Sequence, residues 1–414
     1  MKNDNLVDIR SRKSTVLVYI ALAVFIVFKL WERTTISYRL GAIEYNGITA
    51  AVMGLLILRL IIRDYKSLKW IIADVLVVAG AFSLTGMWGY NKELVTLALL
   101  IMASFGTSFY NLVKTSFISV AAMTGFVLCC YGLGFAENLR FIRIHDSDVF
   151  YVNSLGFDAY ATLSYCAFIL TTGYLFLRKA SFKYWEIPII LVLDFFVFKI
   201  TDNRLMFVSE VILFAIYVIV RLGRNAFVKN KVFAVCCAAI PGVITLISFI
   251  TSYFFNPNAN NFLNWLDDKL VGRLTFTRQA FDKYPLTFTG QGVKMTGNLP
   301  EGMEYTASNP KFFIDNGYLY YYFAYGVIAL AVILFIYTVF IYRAAREGHY
   351  TLLAILITIS IANFVNATML YVDLFIPQVF VLGFLNYFIS GFTKDKDVFY
   401  SREFKEIRNK STGA

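Results

Sequence analysis

The amino-acid sequence predicts an all-α, polytopic integral membrane protein, and three observations carry that prediction. Of its 414 residues, 58% are hydrophobic, 18% are aromatic and only 16% are charged, an apolar load larger than a soluble core of this length can hide. Apolar runs recur along nearly the whole chain, most of them long enough to cross a hydrocarbon core of about 30 Å at about 1.5 Å per helical residue. The runs are continuously apolar instead of alternating with period two, which excludes the strands of a membrane barrel.

The predicted spans are taken in chain order. The first, 15–31, follows a polar and basic opening, MKNDNLVDIRSRKST, and lacks a small-residue cleavage site, so it is expected to be kept as a helix and not removed as a signal. Further runs at 43–61, 70–89, 94–112 and 116–135 are separated by short connections. After "NSLGFDAYATLSY" (153–165), which opens the span 156–177, two short runs at 186–201 and 204–220 share a tight turn, and 232–254 follows. Residues 255–315 form the one long connection, and the chain then returns to apolar runs at 316–342, 350–371 and 374–391 before a basic tail, 392–414. The expectation is one membrane domain over 1–414, with about twelve transmembrane helices and one large extracytoplasmic loop.

Orientation follows from lysine and arginine, which are retained near helix ends on the cytoplasmic side. With the N-terminus inside, the inner connections and both termini hold 24 Lys and Arg against six in the short outer connections. The asymmetry puts both ends on the cytoplasmic side of the membrane. It also accounts for the net charge of +11 without a nucleic-acid partner, as a topology signal and an attraction to anionic lipid.

The usual chemistry motifs are missing. There is no phosphate-binding glycine loop, dinucleotide fingerprint, nucleophile elbow or HExxH helix. The five cysteines, Cys129, Cys130, Cys166, Cys236 and Cys237, lie in apolar runs without ligand spacing, and His145 and His349 fall on opposite predicted faces. No metal site and no cofactor are expected.

The loop 255–315 is the informative segment, because long connections in compact proteins are uncommon and usually functional. It carries Phe262, Leu263, Trp265 and Leu266 beside Asp267 and Asp268. "VGRLTFTRQAFDKYP" then reads as a short amphipathic helix ended by Pro285, and "TGQGV" (289–293) as a glycine-bounded turn. Such a loop can lie at the bilayer surface as a lid or wall. It leads into "SNPKFFIDNGYLYYYFAYGVIAL" (308–330), where Asp315 and Asn316 are good residues to cap the next helix. The tyrosines at 318, 320, 321, 322 and 325 read as an aromatic belt, with exposed ones able to stack on sugar rings.

"GRLTFTRQAFDKYPLTFTGQGV" followed by "DNGYLYYYFAYGVI" resembles the pattern of Wzy-type polysaccharide repeat-unit polymerases and, more distantly, of the O-antigen ligases. "TDNRLMFVSEV" (201–211) is similar to the family's Asn-Arg start of a helix before the loop. "NSLGFDAYATLSY" resembles a Leu-Gly-Phe helix opening but has Asp158-Ala159-Tyr160 where many members have Asn-Pro-Asn, so no role is carried there. The resemblance implies two polyprenyl-pyrophosphate-linked oligosaccharides as substrates, joined on the extracytoplasmic face with release of polyprenyl pyrophosphate. A flippase and a chain-length regulator are its implied partners, beside the bilayer itself.

A departing pyrophosphate gains negative charge in the transition state, and fixed arginines suit it because their planar fork keeps its charge and binds phosphate oxygens in pairs. The resemblance therefore puts Arg273 and Arg204 in catalytic roles and Arg278 on substrate. Asp315 is either a base for the attacking hydroxyl or a group that orients the sugar, and Asn316 is a cap that can also contact sugar. Arg140 and Arg143 are either interfacial anchors or substrate ligands, and Lys199, Asp202 and Arg204 either a local salt-bridged turn or part of the site. The competing expectation is a lipid-linked oligosaccharide flippase or another ion-coupled transporter. It rests on Asp74, Asp194 and Glu210, carboxyls at predicted membrane depth.

Overall fold

The computed structural model describes the whole chain except residues 1, 40–41, 65–70, 73, 81–91, 106, 146–147, 224–226, 228–229, 259–260, 271, 298, 307–309 and 367–414. The predicted span 374–391 and the basic tail lie outside the described residues. The protein is mostly helical, and among the described residues six helices are long and apolar enough to cross a membrane. The described residues gather into two compact units.

The first unit draws on Met1–Ala136 and Ile169–Tyr184. It contains α1 (Lys2–Glu32), α2 (Ala42–Asp64), α3 (Lys92–Ala103), α4 (Phe109–Gly132) and the end of α5 (Tyr160–Arg178). In α1, Val18, Ala21, Leu22, Phe25 and Ile26 are buried, a stripe at helical spacing that packs on α2 and α4. The opposite stripe, Val16, Ile20, Val24 and Val27, is equally aliphatic and exposed. A face of that kind needs hydrocarbon as its solvent.

Two arginines of this unit bond inside it. The fully buried Arg59 bonds Ser14 and the Phe105 carbonyl, and Arg63 bonds the Met102 carbonyl and lies 3.3 Å from Asp74. Asp74 is thus one half of an ion pair. The break between the third and fourth helices falls at Ser104–Ser108, not near Lys114 as predicted. The Ser104 and Thr107 hydroxyls donate to the carbonyls of Ile101 and Ser104, closing the turn. Lys114 stays helical and exposed, since a long side chain can carry its charge out along an apolar helix.

The second unit draws on Glu137–Phe168 and Trp185–Leu374. It opens with an antiparallel hairpin, β1 (Arg140–His145) and β2 (Asp148–Asn153), in the register Arg140 opposite Asn153 and His145 opposite Asp148. The hairpin is a local departure from the short plain connection expected here, within a protein that is otherwise mostly helical: "RFIRIH" and "DVFYVN" are rich in β-branched and aromatic residues, which suit a pleated pair. The remaining elements are α6 (Glu186–Thr201), α7 (Arg204–Leu222), α8 (Lys231–Tyr253), α9 (Asn261–Lys269), α10 (Arg273–Lys283), α11 (Gly317–Glu347) and α12 (Tyr350–Ala362). Helix α8 packs mainly on α11, and α7 on α12 and α6.

Two backbone features fix how the loop joins the helices. Asp202 adopts a left-handed conformation (φ 45°, ψ 32°), which lets α6 end and α7 begin within a two-residue turn. Gly326 (φ 85°, ψ 174°) interrupts α11. At that break the turn 287–291 supplies the missing partners: Val327 N donates to Thr287 O (3.1 Å), Ile328 N to Phe288 O (3.3 Å), and Gln291 N to Ala324 O (3.3 Å). The contact is backbone on backbone. A Cβ on Gly326 would lie 2.4 Å from Gly290 N and Phe288 O, and one on Gly290 2.4 Å from Ala324 O. The glycine-bounded turn and the Gly-Val pair of the helix, far apart in sequence, are two halves of one junction.

Candidate functional site

The site is built on the first residue of α10. Gly272 takes a left-handed turn (φ 77°), and the buried carboxylate of Asp267 accepts hydrogen bonds from Leu274 N (2.7 Å), Thr275 N (3.2 Å) and the Thr275 hydroxyl. Asp267 therefore satisfies the amides at the head of α10 as a capping residue would. The helix start it holds presents Arg273, whose Nε donates to Asp315 Oδ2 at 2.8 Å. Both side chains are partly accessible, and among the described residues the terminal Nη nitrogens of Arg273 bond no other group. They are available to an anion.

Asp315 and Asn316 divide two jobs. Asn316 is 6% exposed; its Oδ1 accepts from Leu319 N (3.1 Å) as the N-cap of α11, and its Nδ2 donates to Ser248 Oγ and to the Phe364 carbonyl, each at 2.8 Å. Its amide is fully used in tying α11 to α8 and to the end of α12, where Asn363 O also accepts from Gly317 N (2.7 Å). Asp315, one residue earlier, is left to face Arg273.

A second cluster sits on the α6–α7 turn. Arg143 donates through Nη1 to the Asp202 carbonyl (2.8 Å), lies 3.3 Å from the Asp202 carboxylate, and stacks its guanidinium 5.3 Å from the Tyr160 ring centroid. Arg204, half exposed, lies 3.4 Å from the other oxygen of the same carboxylate. The alternative of a local salt-bridged turn therefore holds as geometry for Asp202 and Arg204, with Arg143 added.

Lys311 joins the two clusters. Partial burial first and the nearby Arg143 second push its ammonium below the ordinary lysine value, while Asp315 pulls it back up. One side chain thus feels both the hairpin arginine and the carboxylate that Arg273 grips. Arg143, Arg204, Arg273 and Lys311 outnumber Asp202 and Asp315, so the cluster has a positive surplus suited to phosphate oxygens.

The other predicted residues lie elsewhere or do different work. Arg278 bonds the Tyr253 carbonyl and Asp282 (3.0 Å), clasping α10 to the end of α8. Arg140 and Arg143, three apart on a strand, project from opposite faces; the Arg140 carbonyl accepts from Glu301 N (2.8 Å), which pins the loop to the hairpin. Lys199 lies over the rings of Phe195 and Phe198 at 5.3 and 5.9 Å. Tyr318, Tyr321, Tyr322 and Tyr325 are buried, so these tyrosines are core residues and not an interfacial belt.

Sequence reading missed Lys311 and the capping role of Asp267. Lys311 carries no local pattern. Asp267 had a faint one, a carboxylate shortly before a glycine that opens a helix.

No protein-family model, curated protein or solved structure matches this chain.

Proposed function

We propose that this protein polymerises polyprenyl-pyrophosphate-linked oligosaccharide repeat units on the extracytoplasmic face of a bacterial inner membrane. The observation that carries the reading is a pair of arginine–aspartate clusters, Arg273 on Asp315 and Arg143 with Arg204 on Asp202, with Lys311 under the electrostatic influence of both Arg143 and Asp315. These residues come from a hairpin, a helix–helix turn and both ends of the 273–315 segment. The resemblance of "GRLTFTRQAF" and "DNGYLYYYFAYGVI" to Wzy-type polymerases supplies the substrate class. About twelve spans, both termini inside and residues 255–315 outside belong to the same reading.

In the reaction, a sugar hydroxyl of one unit attacks the anomeric carbon of the other. The new glycosidic C–O bond forms as the bond to pyrophosphate breaks, and the electron pair leaves on the pyrophosphate oxygen. Arg273 receives that charge through its terminal nitrogens, assisted by Arg143, Arg204 and Lys311. Asp315 holds Arg273 through Nε, so its first role is to aim the guanidinium. The hydroxyl proton passes to water or, once the arginine has turned to phosphate, to Asp315.

The test is turnover in vesicles containing purified protein and lipid-linked repeat units. Chains longer than one unit and released polyprenyl pyrophosphate are expected. Arg273→Ala and Arg204→Ala should each remove most of the activity, and the double variant should be little worse, because a shared transition state is lost once. Substrate units carried across the vesicle without joining would favour the flippase reading, which the paired Asp194 and Glu210 support, and would end the polymerase proposal.

A further inference from the structure

Helix α6 shows an inverted polarity. Ile189, Val192, Leu193 and Phe196 are more than half exposed, whereas Glu186, Asp194 and Thr201 are buried. The buried polar positions are spaced so that they share one helix face, the pattern of a helix with lipid outside and something to recognise inside.

On that face Asp194 meets Glu210 of α7. Their side chains share a hydrogen bond and are 7% and 2% exposed. They border a cavity, also lined by Ser164 and Asn203, with room for about one water molecule. Asn203 is 8% exposed, and its Nδ2 has no hydrogen-bond partner among the described residues. The Thr201 hydroxyl donates to the Val197 carbonyl (2.8 Å), so in its 2.7 Å bond with Ser164 the serine is the donor. The lone pairs of Ser164 are thereby left for the cavity. A half-turn of the Asn203 amide brings Oδ1 to the orphan position. Two carboxylates in direct contact cannot both keep their charge at low dielectric unless a positive charge stands between them.

We propose that the cavity between α6 and α7 binds one small monovalent positive charge, a proton or a sodium ion, held by Asp194 and Glu210 with Ser164 and the Asn203 amide as neutral oxygen ligands. The donor set is all oxygen, with no histidine or thiol, and so suits a hard cation. Glu186 and Lys199 on α6, Arg204, Tyr217 and Arg221 on α7, Tyr160, Tyr165, Cys166, Tyr174 and Arg178 on α5 and Tyr350 on α12 are the other ionisable groups on these helices, and none of them borders the cavity. Asn203 follows Asp202, which grips Arg143 and Arg204, so occupancy bears directly on the turn that carries the second basic cluster. The site stands independently of the polymerisation reading.

Thermal unfolding of the full chain in lipid nanodiscs, followed by tryptophan fluorescence, tests it without any substrate. Sodium is varied against choline at constant ionic strength and fixed pH, and pH is varied without sodium. A site occupied in the native state alone raises Tm by on the order of 2 °C per tenfold rise in the bound ion. A response to sodium at fixed pH identifies sodium, and a rise as pH falls in sodium-free buffer identifies a proton. Glu210→Gln should abolish whichever response is found. Ser164→Ala, which keeps both carboxyls, should shift its midpoint about tenfold and guards against a Glu210 variant that fails to fold. A wild-type Tm indifferent to both ions, or a response unchanged in the Glu210 and Ser164 variants, overturns the proposal.

Discussion

At the scale of single residues, Arg273 and Lys311 make separable predictions. Arg273→Lys keeps a charge but loses the fork that holds Asp315 through one nitrogen while offering two others. Polymer synthesis by this variant should fall roughly a hundredfold at normal protein abundance, read as chain length on a gel beside an immunoblot. Lys311 is held below its ordinary value by burial and by Arg143, so its charge is lost at lower pH than that of an exposed lysine. Its charged form is the one that assists the leaving group. Turnover should therefore decline as pH rises through this depressed value, and Lys311→Arg should hold its rate across the same alkaline range. Stability moves the other way, since the depressed value means that the folded state releases this proton first and rising pH favours the fold. Arg273 and Asp315 were legible in the sequence because each stands in a patterned stretch. Lys311 was not, because its role arises only where the hairpin and the loop meet.

At the scale of elements, the loop depends on caps and on one backbone junction. Asp267→Ala removes the acceptor for two amides and a hydroxyl at the start of α10. It should cost about 2 kcal/mol of stability and lower activity further by releasing the geometry of Arg273, both visible in parallel thermal and turnover assays. Gly326→Ala puts a methyl group 2.4 Å from loop backbone at a φ of 85°, so a loss of roughly 3 kcal/mol or more is expected. Limited proteolysis should then cut within 284–293 faster than in the parent protein, where the backbone of 287–291 is bonded to α11. The helices were readable because long apolar runs have few alternatives in lipid. The hairpin was not, since a search for spans passes over twelve residues whose strand character is local. The break at Ser104–Ser108 was misplaced because Lys114 looked like an end signal, although lysine tolerates a helix and the hydroxyl cluster closes the turn.

At the scale of the whole molecule, the proposed orientation has a direct chemical readout. Single cysteines placed in 255–315 of a cysteine-free parent should react with a membrane-impermeant thiol reagent in spheroplasts, and those in 222–231 should not. Reversed labelling would move the arginine cluster to the cytoplasmic face, where its proposed substrates would not reach it. The charge bias along the chain predicts this orientation without a fold, because retention of basic loops is decided before packing. The convergence of the basic residues was not readable in the same way. It depends on Asp202 turning one helix into the next and on Asn316 locking α11 to α8, and neither residue announces that long-range role in its neighbours.

The junction at Gly326 also dictates an order of assembly. Two amides of a long apolar helix are satisfied there only by carbonyls from a turn more than thirty residues upstream, and a bare amide in hydrocarbon costs several kcal/mol. A newly inserted α11 therefore enters the bilayer as a straight helix using its own carbonyls, and bends only when the turn arrives to take them over. Bending and loop docking are a single late event in biogenesis. In pulse-labelled chains, cleavage within 284–293 should slow only after α11 is fully inserted, and in chains truncated before Gly326 it should not slow.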